Sequence, residues 1–102
     1  MEQLERIKRM ENLLDDASKA VMQLSQALDD YFSAQSAIRE LEAYYGSKDW
    51  KQDFSLDEKG LLPKDLKRGV LSEDGIWNIL ADNRALMERL ASIKDEISQE
   101  YT

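Results

Sequence analysis

The 102-residue sequence has no cysteine and no histidine. Without cysteine there is neither a disulfide framework nor a thiolate metal site, and the chain suits a reducing compartment. Without histidine it lacks the side chain most used for proton transfer near neutrality and the commonest transition-metal ligand. Basic charge is also scarce: 21 acidic residues against 14 basic ones leave a net charge of −7. That balance opposes binding to nucleic-acid phosphates or anionic lipid surfaces. The longest uncharged run, Ala20 to Leu28, is far too short to span a bilayer, and the opening Met1-Glu2-Gln3-Leu4-Glu5-Arg6 lacks the apolar centre of a signal peptide. A soluble, cytoplasmic protein is expected, without nucleic-acid or membrane partners.

Glycine and proline are scarcer still, and their placement is informative. All four glycines and the single proline fall between Gly46 and Gly75. Because these residues break helices, the pattern predicts one helical domain with a helix over 2–45, a connector over 46–75 and a helix over 76–101. The fold class expected is all-α: two long antiparallel helices joined by a structured connector of short helical turns, forming a helical bundle as a dimer.

The first segment carries a seven-residue apolar repeat. One position reads Ile7, Leu14, Val21, Leu28, then Gln35; a second reads Met10, Ala17, Leu24, Tyr31, Ile38, Tyr45. A third, Leu13, Ala20, Ala27, Ala34 and Leu41, widens the apolar face to about three residues in seven, which suits a multi-helix bundle. Its alanines leave room for a neighbouring helix to approach closely. Glu2 with Arg6, Glu5 with Arg9 and Asp15 with Lys19 sit four apart with the acid first, each adding about 0.3 kcal/mol to a solvated face. The last segment repeats the pattern with Ile76, Asn83, Leu90, Ile97 and with Ile79, Leu86, Ile93. Ser72, followed by Glu73 and Asp74, is its expected cap. Asn83 is the one polar residue in that stripe, read either as a buried amide setting register or as a half-exposed position facing the connector.

The connector is no flexible linker, because Trp50, Phe54, Leu56, Leu61, Leu62, Leu66, Val70 and Leu71 require burial. Ser47 is a possible cap ahead of Trp50 and Phe54, which lie four apart on one face. Ser55-Leu56-Asp57-Glu58 has capping-box spacing and runs to Gly60, a helix stop. Pro63 and Gly69 bracket a predicted short helix over Lys64 to Arg68, with Gly69 expected at positive φ. Lys64, Lys67 and Arg68 form a compact basic group suited to an acidic partner, to this chain's own helix, or to solvent.

Catalytic motifs are missing. Asp15-Asp16 and Asp29-Asp30 are adjacent on a helix, so their carboxylates point about 100° apart and do not converge on one substrate atom. Asp49, Asp53 and Asp57 are spaced to share one side of a helix, but the alternating oxygen ligands around a central glycine that define an EF-hand are absent. No phosphate-cradling glycine loop, nucleophile elbow or dinucleotide fingerprint occurs. No cofactor and no conventional enzymatic activity is expected. An enzyme using connector lysines or carboxylates would need a deep pocket near Trp50 and Asp65.

The run Tyr44-Tyr45-Gly46-Ser47, Trp50, then Leu62-Pro63-Lys64-Asp65-Leu66-Lys67-Arg68-Gly69-Val70-Leu71-Ser72-Glu73-Asp74 resembles an uncharacterised family of small acidic bacterial proteins known only as a domain of unknown function. The resemblance covers nearly the whole chain and implies a bacterial, all-helical protein. It carries over no activity and no catalytic residues.

Segment lengths add a packing argument. If the two long helices run antiparallel, the shorter one reaches back only to about residue 20, at ~1.5 Å per residue, and Leu4, Ile7, Met10, Leu13 and Leu14 are left without an intrachain neighbour. Either a second copy covers this overhang or the connector does; a parallel arrangement is the structural alternative. The leading expectation is a non-enzymatic interaction or adaptor protein, a homodimer with Leu4, Ile7, Met10, Leu13 and Leu14 at its interface. Trp50, Phe54, Pro63, Asp65, Lys67, Arg68 and Gly69 are the connector's candidate partner-binding or structural residues. The rival is an acidic inhibitor or immunity-type protein that binds a basic target.

Overall fold

The computed structural model describes residues 1–101. It is all-helical: α1 (Glu2–Tyr45), α2 (Lys48–Glu58), a single 3₁₀ turn (Gly69–Leu71) and α3 (Gly75–Glu100). Two long helices joined by a structured connector, as the breaker pattern predicts, are the fold. The residues fall into two compact units, one formed by Met1–Ser36 and one beginning at Ala37.

The first unit is a stretch of α1 alone. Its 44-residue parent helix contains neither glycine nor proline, and Glu2 and Glu5 in the first turn complement the positive end of the helix dipole. Every residue from Met1 to Asp30 is exposed.

The second unit is built around the connector. α1 ends where Gly46 and Ser47 follow Tyr45. The Ser47 hydroxyl donates to the Tyr44 carbonyl at 2.6 Å and accepts the Trp50 N–H at 3.2 Å, closing one helix and opening the next. α2 then runs without interruption for 11 residues to Gly60, whose φ of +69° is the left-handed conformation that glycine adopts most easily. The Leu61 N–H reaches the Leu56 carbonyl and the Gly60 N–H the Asp57 carbonyl, both at 3.0 Å, a Schellman closure. Ser55-Leu56-Asp57-Glu58 is therefore the end of α2 and opens no helix: with no breaker between Ser47 and Gly60, the helix already capped by Ser47 runs through it.

The expected helix over Lys64 to Arg68 does not form. Residues 63–66 make one turn, closed by the Leu66 N–H on the Pro63 carbonyl at 3.2 Å, and an irregular stretch over 67–68 leads into the 3₁₀ turn that Gly69 opens. Gly69 closes nothing and has no positive φ. Five residues are too few to sustain a helix alone, and this segment is held at its far end by ties to α2.

The core is small. Among the described residues only Leu71, in the 3₁₀ turn, and Ile76, in the first turn of α3, are buried, at 5% and 2% exposure. Leu80, Ala81, Asn83 and Leu90 are half-buried along α3, whereas Ile79, Leu86, Ile93 and Ile97 are exposed. Asn83 thus takes the half-exposed reading, its amide reaching Met87 Sδ at 3.9 Å.

Candidate functional site

The connector forms a lock around α2. Trp50 is its centre: its indole Nε1 donates to the Val70 carbonyl at 2.9 Å, its ring meets Tyr45 edge-on at 5.0 Å between centroids, and it stacks on Phe54 at 5.1 Å. Both ring geometries are favourable ones, each contributing about 0.5–1.5 kcal/mol beyond area burial. The four-residue spacing of Trp50 and Phe54 places them on one face of α2. The turn at Ser47 brings Tyr45 alongside.

Two polar ties flank the rings on the same face of α2. Arg68 Nη1 donates to Asp57 Oδ1 at 2.7 Å, an ion pair with both partners half-buried. The Tyr44 hydroxyl donates to Asp53 Oδ2 at 2.6 Å. That hydrogen bond, with desolvation and the negative charges of Asp53 and Asp49, pushes the Tyr44 phenol up to about 12. Asp53 and Asp57 are thus engaged by Tyr44 and Arg68, and among the described residues no group of carboxylates is placed to hold a metal ion.

The entry to α3 is the tightest point. Ser72 Oγ donates to the Gly69 carbonyl at 2.8 Å and accepts the Gly75 N–H at 3.0 Å. A Cβ on Gly75 would lie 2.2 Å from the Gly69 carbonyl oxygen and 2.7 Å from Ser72 Oγ, so no side chain fits there. Gly69 itself is open, with nothing within 4 Å of a Cβ.

The connector residues singled out from the sequence therefore divide. Trp50, Phe54, Arg68 and Gly69 belong to the lock; Pro63, Asp65 and Lys67 are exposed on the segment that leads to it. Lys67 lines a shallow, mainly apolar groove with Leu41, Gly69, Val70, Gly75 and Ile76. Sequence reasoning missed Tyr44, Asp53, Ser72's second bond and the demand for glycine at 75. Only the last had a signal: a serine cap with glycine three residues on marks a close approach. Leu4, Ile7, Met10, Leu13 and Leu14 belong to the first unit, each 46–59% exposed.

The arrangement is one of packing and anchoring. It aligns aromatic rings, pairs charges and closes helix ends. No described helix is long and apolar enough to cross a membrane. No curated protein and no solved structure matches the chain. The family profile described as a domain of unknown function, DUF4298, matches residues 7–93, which takes in the helix repeat as well as the Leu62–Asp74 run, and the chain belongs to that family.

Proposed function

We propose that this protein is a non-enzymatic interaction protein that works as a homodimer, with the connector as a rigid block that presents a surface to a protein partner. The observation that carries the proposal is the open apolar face of α1. From Leu4 to Leu28 its large apolar side chains are 40–71% exposed, on a chain whose next-longest helix has 26 residues against 44. Burying a side chain of this size contributes roughly 1.5–3 kcal/mol, so a second copy laid along the face has a large driving force. The lock around Trp50 suits a rigid platform: Leu61, Leu66 and Val70 point outward from it, 40–67% exposed. A bacterial, cytoplasmic setting is part of the proposal.

Sedimentation analysis tests it. The expected species at micromolar concentration is a dimer; a compact monomer overturns the reading. The acidic-inhibitor alternative draws on the net charge of −7. Arg6, Lys8 and Arg9 interleaved with Glu2, Glu5 and Glu11 break up the acidic surface at one end of α1, which favours the dimer.

A further inference from the structure

The stretch from Lys59 to Val70 reverses the charge of the chain. It holds Lys59, Lys64, Lys67 and Arg68 against the single acid Asp65, in a protein of net charge −7. Arg68 is engaged by Asp57, whereas among the described residues no carboxylate pairs with Lys64 or Lys67, and both are exposed. Lys67 is also the one charged residue lining the groove of about 380 Å³ that Leu41, Gly69, Val70, Gly75 and Ile76 otherwise form. Glu73 and Asp74 lie between Val70 and Gly75 in sequence but do not line it.

Two glycines line this groove, for different reasons. Gly75 is demanded by the Gly69 carbonyl, against which a side chain would clash. Gly69 has no such reason: its φ is not positive, and a Cβ there meets nothing within 4 Å. The fold admits a larger residue at 69, and glycine is a costly choice because it loses the most conformational freedom on folding. Its effect is to leave the groove unfilled at that point. The surrounding lining is fixed. Ser72 Oγ ties the Gly69 carbonyl to the Gly75 N–H, the Val70 carbonyl holds the Trp50 indole, and Ile76 is buried. A preformed recess of this kind needs little ordering when something binds.

We infer that this groove is the connector's partner site and takes a short acidic peptide segment carrying a branched apolar side chain. The inference rests on the reading above in which the connector presents a surface to a protein, and it names the chemistry of that partner. The apolar side chain lies against Leu41, Val70 and Ile76, the peptide backbone passes over Gly69, where no side chain intervenes, and a carboxylate meets the Lys67 ammonium. Lys64, three residues earlier, adds to the local positive field. The acids elsewhere on the chain do not prevent this, because exposed charges are screened beyond about 8–10 Å at physiological salt. A basic segment would meet Lys67 as a like charge. A small metabolite fits poorly, since ligand pockets enclose most of their ligand and converge several polar groups on it, whereas this groove is shallow and offers one charged side chain.

Panning the full chain against a phage-displayed library of random heptapeptides tests the inference. Enriched sequences are expected to combine Leu, Ile or Val with Asp or Glu. The most enriched peptide, fluorescently labelled, is then titrated by anisotropy into the wild type and three variants, each checked for helicity and melting by circular dichroism. Gly69→Leu, which fills the groove, and Lys67→Glu, which reverses its charge, are each expected to raise Kd roughly ten-fold or more at low salt. Lys51→Glu, the same charge change at an exposed position of α2, is expected to leave Kd within about two-fold. If Gly69→Leu does not fold, Lys67→Glu decides, because that side chain is exposed. Enriched peptides that are basic or lack an apolar residue, or a Kd that Lys67→Glu leaves unchanged, overturn the groove. Binding lost in Lys51→Glu instead overturns this site and leaves the connector as the partner-binding block. A library from which nothing is enriched overturns the groove and the partner-presenting connector together, while sedimentation tests the dimer separately.

Discussion

Replacing Gly75 by alanine is expected to destabilise the protein, although general helix propensity says the opposite. Alanine outranks glycine in a helix by roughly 0.5–1 kcal/mol, and Gly75 is the first residue of α3. Here, however, the added methyl would lie 2.2 Å from the Gly69 carbonyl oxygen, a backbone atom in the 3₁₀ turn that cannot rotate away. It would also lie 2.7 Å from Ser72 Oγ, which must keep its place to bridge the Gly69 carbonyl and the Gly75 N–H. Relief requires α3 to move off the 3₁₀ turn. That movement breaks both Ser72 bonds, at about 1 kcal/mol each, and displaces Ile76 from the core, for which overpacking data suggest about 1–3 kcal/mol. After subtracting the propensity gain, the net loss is about 2–4 kcal/mol. For a domain of this size that lowers Tm by about 8 °C or more. Thermal melts followed by circular dichroism and by tryptophan fluorescence measure it. Gly69→Ala is the internal control: its site is open and its φ is not positive, so a change within about 0.5 kcal/mol is expected. A Gly75→Ala protein that melts at or above the wild type refutes the reasoning. So does a large loss in Gly69→Ala with Gly75→Ala unaffected, since that pattern would return the helix stop to residue 69.

Two further outcomes concern the lock itself. Trp50→Ala removes two ring contacts and the bond to the Val70 carbonyl and is expected to destabilise by about 3 kcal/mol or more in urea, whereas Trp50→Phe, which loses chiefly the bond, should lose about 1–2 kcal/mol; equal effects would show that the indole N–H contributes nothing. Tyr44 holds its proton more tightly folded than unfolded, its phenol lying near 12 against an ordinary 10.0, so its contribution to stability is complete below pH 10 and is lost as pH rises towards 12. Ultraviolet titration should show a late phenolate step that disappears in Tyr44→Phe; a wild-type chain whose four tyrosines all ionise near pH 10 would contradict the Asp53 bond.

The helices and their local ends were legible in the residues. The absence of glycine and proline from 2–45 and 76–101 marks the two long helices to within a residue or so. Ser47 as a cap and Gly60 as a stop follow from spacing alone, because a cap or a Schellman closure involves residues no more than five apart. The connector's second half was not legible. Pro63 and Gly69 bracket Lys64–Arg68 as a short helix should be bracketed, yet the chain there obeys longer-range ties: Arg68 to Asp57 across 11 residues and Val70 to Trp50 across 20. The site residues divided in the same way. Trp50 and Phe54 announced themselves by size and spacing, whereas Tyr44 and Asp53 are ordinary surface residue types until the Ser47 turn brings them within 2.6 Å.

The sequence by itself thus determined the two long helices, their apolar repeat and the place where the chain must turn. These depend on backbone freedom and side-chain period, which each residue carries with it wherever the chain goes. Only the tertiary structure decided which glycine is indispensable. The demand on Gly75 comes from the Gly69 carbonyl six residues earlier, and it exists only because Ser72, Leu71 and Ile76 fold the 3₁₀ turn against the start of α3.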